Sequence, residues 1–146
     1  MLLSGDRMIP PGDTRGNTRV RVAAALLSFV LAVVYMFQFA SALERHAYLG
    51  GMFISIACLH VMYGAVLLIQ PWTIDSIGRV RPDAAMHSRR WYRAGIGGNL
   101  ALVVLLSLSL VGVLPSLNDA VAEILSIVFG MLLIASLVTL ERRVRS

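Results

Sequence analysis

Four long apolar blocks separated by short charged segments constrain the fold of this chain more than any other feature. The blocks cover residues 20–43, 47–70, 94–114 and 120–140, and their only charged residues are Arg21 and Glu123. At about 1.5 Å per residue each block forms a helix of roughly 31–36 Å, enough to cross the ~30 Å hydrocarbon core of a bilayer. Only a helix satisfies its own backbone hydrogen bonds in that core. The sequence therefore predicts an all-α, polytopic membrane protein built as a four-transmembrane-helix bundle.

The arginines predict which way the helices cross. All 13 basic residues are arginine, and 12 of them lie in residues 1–21, 71–93 or 141–146; Arg45 is the exception. Positively charged flanks stay on the cytoplasmic side, so we expect both termini and the 71–93 connection to face the cytoplasm (N-in/C-in). The composition, 58% hydrophobic and 14% charged, fits a multi-pass protein of the plasma or inner membrane. The sequence has no continuous basic face that could bind the phosphate backbone of a nucleic acid.

The segments outside the blocks give the domain organisation. Residues 1–19, with Pro10 and Pro11, have no periodic apolar face, so we expect an irregular cytoplasmic tail. Residues 71–93 form a cytoplasmic loop and 141–146 a second tail. Pro82 followed by Asp83 predicts that the third helix begins inside this loop. The Ser116-x-x-Asp119 pattern predicts the cap of the fourth helix.

Aromatic and arginine side chains gather where the third helix enters the membrane. Such residues mark the headgroup level of a bilayer, and arginines there favour anionic lipids. We therefore expect an interface cluster on the cytoplasmic face, formed by Trp72, Arg89, Arg90, Trp91, Tyr92 and Arg93.

Small residues recur at about four-residue spacing in every block. Helices in a bilayer associate through close packing of such residues. The predicted packing stripes are Ala24/Ser28/Ala32, Ala47/Gly51/Ser55, Ala94/Gly98/Ala101 and Ala122/Ser126/Gly130.

His60, near the middle of the second block, is the principal candidate for function. An ionisable group at that depth indicates a functional site. At 100° per residue, it points about 180° away from the line through Gly51, Ser55 and Met62. If that stripe packs against a neighbouring helix, His60 faces away from it and needs another partner, because lipid would leave its nitrogens unpaired.

Three partners for His60 are open. A helix of the same chain can supply one, from Tyr35, Gln38, Ser107 or Ser109. A second protein subunit can cover it. A flat cofactor, haem or a chlorophyll-type pigment, can be ligated by the imidazole, with Gly64 one turn along making room. A pair of axial histidines does not fit within one chain, because His46 and His87 lie at other levels.

Two more polar residues lie inside the apolar blocks. Glu123, about one turn into the fourth block, is expected to reach water or to cap its helix. Asn99 is expected to bond across helices. No nucleophile–base pair, phosphate loop or metal-spaced cluster is present, so we expect no enzyme activity and no resident cofactor unless His60 holds one.

The function most consistent with these features is that of a non-catalytic membrane subunit. Such a subunit packs against other membrane proteins, or against itself, and stabilises the complex. Two alternatives remain. One is a small proton-coupled or solute transporter that uses His60 and Glu123. The other is a haem- or pigment-binding electron-transfer subunit with His60 as axial ligand.

Overall fold

A computed structural model describes residues 15–73, 78, 81–114 and 119–145. This part of the chain contains four α-helices: α1 (Arg15–Arg45), α2 (Ala47–Ile69), α3 (Ala84–Leu110) and α4 (Ala120–Arg145). Each is long and apolar enough to cross a membrane. The predicted all-helical fold, with four helices that could span a membrane, is therefore confirmed.

The helix bounds differ from the apolar blocks at several places. α1 begins at Arg15 and α4 continues to Arg145, so the predicted tails are helical at 15–19 and 141–145. The guanidinium of Arg143 donates to Asn17 Oδ1 at 3.1 Å, and this contact holds the two extensions together. α3 ends at Leu110 rather than at residue 114. The irregular tail predicted over 1–14 and the cap predicted at Ser116 lie outside the described residues.

The third helix begins where Pro82-Asp83 predicts, at Ala84. The Asp83 carboxylate accepts two 3.1 Å hydrogen bonds from the Arg81 side chain and lies 3.3 Å from His87 Nδ1. The hydrogen bonds from Arg81 hold the pKa of Asp83 below its usual range. This contact is therefore present at neutral pH and is lost as the pH falls through that lowered pKa.

The helices pack in the order α2, α1, α4, α3, so α1 and α4 are central and α2 and α3 are outer. Leu31 and Tyr35 of α1 are buried with Phe53 of α2 and with Leu133 and Leu137 of α4. Among the described residues, α2 and α3 do not pack along their lengths. They meet at one end, which we name the basic end: there α1 and α3 begin and α2 and α4 end.

Side chains of all four helices are tied together at the basic end. Gln70, the residue that caps the end of α2, has a left-handed backbone conformation (φ 45°). Its side-chain amide makes hydrogen bonds to both α1 and α3. Arg21 Nη1 of α1 donates to Gln70 Oε1 at 2.7 Å, and Gln70 Nε2 lies 3.1 Å from the Tyr92 hydroxyl of α3. Arg93 of α3 and Glu141 of α4 add an ion pair at 2.7 Å. Among the described residues, the outer helices α2 and α3 are therefore joined to each other at the basic end only.

The close contact of α1 with α2 gives a direct test of the packing. A Cβ added to Gly64 would lie 2.9 Å from Phe29 Cε1 and 3.2 Å from the Ala25 carbonyl oxygen, whereas one added to Gly97 meets nothing within 4 Å. Gly64→Leu should lower the free energy of unfolding by about 1–3 kcal/mol because the helices are overpacked. The measurement is unfolding in mixed micelles, followed by circular dichroism.

Gly97→Leu is the matched control, since it makes the same change on an open helix face. Equal stability of the two variants would contradict this packing.

Candidate functional site

His60 is buried against α1, with 5% of its surface exposed. The Ser28 hydroxyl lies 3.2 Å from His60 Nδ1, and the Tyr35 ring stacks on the imidazole at a centroid distance of 5.5 Å. A partner from the same chain was one of the three possibilities, and the structure supplies one in Ser28, which was not among the four residues named for that role. Of those four, Tyr35 contacts His60 through its ring. Gln38, Ser107 and Ser109 bond elsewhere.

The hydrogen bonds of Ser28 determine which ring nitrogen of His60 carries the proton. A serine hydroxyl has one hydrogen, and Ser28 donates it to the His60 carbonyl oxygen at 2.8 Å. The Ser28 oxygen must therefore accept from Nδ1–H. A neutral imidazole protonated at Nδ1 keeps its lone pair on Nε2. No residue of the described chain bonds Nε2.

The orientation of α2 is the reverse of the one predicted from its small residues. The face that packs on α1 carries Phe53, Ala57, His60, Gly64 and Leu67. Ala47, Gly51 and Ser55 lie on the exposed face. The physical reason is that Ser28 and Tyr35 give the imidazole polar and aromatic partners, whereas the predicted rotation would leave it in lipid.

Two of the four predicted stripes pack inside the bundle. Ala24, Ser28 and Ala32 are buried on α1, and Ser126 and Gly130 are buried on α4 next to the half-buried Ala122. The stripe of α3, like that of α2, lies outside the contacts within this chain. Ala94, Gly98 and Ala101 are exposed, and α3 buries Tyr92, Gly95, Asn99 and Leu106 instead.

Gly64 makes room for a helix and not for a cofactor. Its Cα faces Phe29 and Ala25 of α1, which leave no space for a macrocycle. The contacts of Gly64 with α1 do not support its predicted cofactor role, which stays a prediction. His60 as an axial ligand stays a prediction, and its Nε2 is the nitrogen that such a role would use.

A cleft of about 330 Å³ separates α2 from α3 on the side of His60 that faces away from α1. His60 and Tyr63 line it from α2, and Trp91, Gly98 and Asn99 line it from α3. The Tyr63 hydroxyl donates to the Trp91 carbonyl oxygen at 3.0 Å and closes the cleft toward the basic end. The cleft thus brings together two buried polar side chains that are far apart in sequence.

Asn99 does not bond across helices as predicted. Its Nδ2 donates to the Gly95 carbonyl oxygen of its own helix at 2.9 Å. The side chain is 6% exposed, and its Oδ1 has no partner among the described residues. The cleft is therefore flanked by two acceptors without a protein donor, Nε2 of His60 and Oδ1 of Asn99.

Some residues of the predicted interface cluster are buried in the bundle, and the others are exposed or half-buried. Trp72 and Tyr92 are buried, and the Trp72 indole donates to Ser88 Oγ at 2.7 Å while its ring stacks on Trp91. These two residues join α3 to the end of α2 instead of meeting lipid. Trp91, Arg90 and Arg93 are exposed and Arg89 is half-buried.

Glu123 is buried, which contradicts the expectation that it reaches water. It is 2% exposed, and its Oε1 accepts a 2.9 Å hydrogen bond from Ser109 of α3. Glu123 is not part of the cleft lining at His60. The pairing of His60 with Glu123 for transport therefore stays a prediction, and no shared cavity at the cleft supports it.

The site offers hydrogen bonding and apolar contact. No group of three or more His, Cys, Asp or Glu side chains able to hold a metal ion occurs in the described part of the chain. Comparison with protein-family models, with curated proteins and with solved structures gave no match to this chain. The chemistry proposed below rests on the contacts of these residues.

The tautomer of His60 is directly testable by nitrogen-15 NMR of histidine-labelled protein. We expect the wild-type His60 to show a protonated Nδ1 and an unprotonated Nε2. Ser28→Ala removes the acceptor of Nδ1–H, so the proton should redistribute between the two nitrogens. His46→Gln and His87→Gln variants assign the signals.

Ser136→Ala is the matched control, because Ser136 bonds only the Leu132 carbonyl oxygen of its own helix. Its His60 signals should equal those of the wild type. A wild-type His60 protonated at Nε2 would refute the assignment.

Proposed function

We propose that this protein is a non-catalytic integral membrane subunit whose α2 helix docks against a transmembrane helix of a partner chain. The observation that carries the proposal is the small-residue stripe of α2, which lies outside the bundle. In a bilayer, apolar contact alone gives helices no reason to associate, and small residues that let backbones approach supply it.

The α2 stripe is shaped for close approach. A Cβ added to Gly51 meets nothing within 4 Å, and next to it runs a groove of about 400 Å³ lined by Ser55, Cys58 and Met62. The Ser55 hydroxyl already donates to the Gly51 carbonyl oxygen at 2.7 Å. A docking helix therefore has no unpaired polar group to satisfy, and it contacts backbone and small side chains directly.

The surface of the bundle supports its placement in a bilayer. Large apolar side chains are exposed on all four helices, with Phe37 at 79% and Ile69 at 72%. The arginine-bearing tails and the 71–93 connection belong to the basic end, so the proposal places this end in the cytoplasm. Exposed Arg90 and Arg93 there are suited to anionic lipid headgroups.

Replacing Gly51 by leucine tests the docking face. Because nothing in the chain lies near this position, Gly51→Leu should leave the stability of the bundle unchanged. It should separate the complex, since a leucine side chain keeps the partner backbone at a distance. The readout is the particle mass in mild detergent after purification from native membranes.

Gly97→Leu on α3 is the matched control, because that position is equally open and lies outside the α2 groove. It should retain the complex. A wild-type protein that purifies as a single chain, or identical masses for the two variants, would refute the proposal. Oxidative cross-linking through Cys58, the one cysteine of the sequence, tells whether the partner is a second copy.

A further inference from the structure

We propose that the cleft between α2 and α3 binds a membrane-soluble phenol or quinol, whose ring hydroxyl donates a hydrogen bond to His60 Nε2. This site adjoins the α2 groove, with which it shares Leu59 and Met62 at its edge. The cleft is suited to a small molecule, whereas the groove is suited to a helix.

The hydrogen-bonding groups that line the cleft determine which functional group a ligand must carry. His60 and Asn99 are each more than nine-tenths buried, and both line the cleft. Ser28 holds the imidazole proton on Nδ1, so Nε2 of this cleft-lining residue is left as an acceptor. Asn99 Oδ1 is an acceptor too, and the amide nitrogen of Asn99 bonds Gly95 with one of its two hydrogens. The acceptor at His60 Nε2 calls for a donor, which a hydroxyl supplies and an ether does not.

The walls of the cleft select a flat ring. Gly98 leaves its part of the α3 wall without a side chain, and a Cβ built there meets nothing within 4 Å. The aromatic rings of Tyr63 and Trp91 close the cleft toward the basic end. Rings pack well by offset stacking or edge-to-face contact with such residues.

The open side of the cleft accommodates an alkyl tail. Leu59 and Met62 form its outer edge on α2, and each is 61% exposed. A ligand whose ring lies between His60 and Gly98 can therefore leave its tail among the acyl chains. The volume of about 330 Å³ is in the range of small-molecule sites.

The test compares two probes that differ only in the donor. These are 4-octylphenol and its methyl ether, 4-octylanisole, titrated into histidine-labelled protein in lipid nanodiscs, with empty nanodiscs correcting for partition into lipid. The phenol should shift the His60 Nε2 signal and bind about three- to tenfold more tightly than the ether, since only the phenol can donate. A third probe, 4-octylcyclohexanol, keeps the hydroxyl without the flat ring and should bind more weakly than the phenol.

Two leucine variants test whether the phenol binds in this cleft. Gly98→Leu fills the cleft without a clash and should weaken phenol binding by about tenfold or more, whereas Gly97→Leu should not change it. Equal affinity for phenol and ether, an Nε2 signal that does not respond, or equal effects of the two leucines would each overturn the proposal. So would a haem or pigment absorbance band in the purified protein, because the cleft would then have another occupant.

Discussion

A buried imidazole needs hydrogen-bond partners inside the protein when its helix is surrounded by lipid, and this constraint sets the arrangement of the bundle. Ser28 accepts from His60 Nδ1 and donates to the His60 carbonyl oxygen, and Tyr35 covers the ring. The free energy lost by leaving these polar groups unpaired in hydrocarbon is far larger than the free energy gained by close packing of a few small residues. The rotation of α2 therefore follows His60, and its glycine stripe remains on the outside.

The exposed features of the molecule follow from that rotation and from the helix order. Because α1 and α4 are central, α2 and α3 are joined only at the basic end, by Gln70, Trp72 and Tyr63. Farther from that end a cleft remains between them, with His60 on one side and Asn99 on the other. The α2 stripe and the cleft are adjacent but distinct surfaces. The first is suited to a helix and the second to a ring compound that donates a hydrogen bond.

The sequence predicts the helices well and their contacts only in part. Long uncharged blocks leave no alternative to helix, and Pro82-Asp83 marks the start of α3. Small-residue spacing did not identify the faces that α2 and α3 bury within the chain, because alanine, glycine and serine are frequent on several faces of an apolar helix. The short turn at residues 44–46 was a better signal. His60 lies 14 residues after this turn, and the same number of residues counted back from it along α1 reaches the neighbourhood of Ser28 and Leu31. The intrahelical bond of Asn99 and the burial of Glu123 depend on which helices are neighbours, which the sequence does not specify.

The rotation of α2 about its axis is the central claim, and thiol reactivity of two adjacent positions measures it. Ala57 is 1% exposed on the face toward α1, whereas Cys58 is exposed. In a chain separated from any partner by Gly51→Leu, native Cys58 should react with N-ethylmaleimide in the folded state. The thiol introduced by Ala57→Cys in a Cys58→Ser background should react only after unfolding. A protected Cys58 beside a reactive thiol at position 57 would contradict the packing of His60 against α1 and the proposals that depend on it.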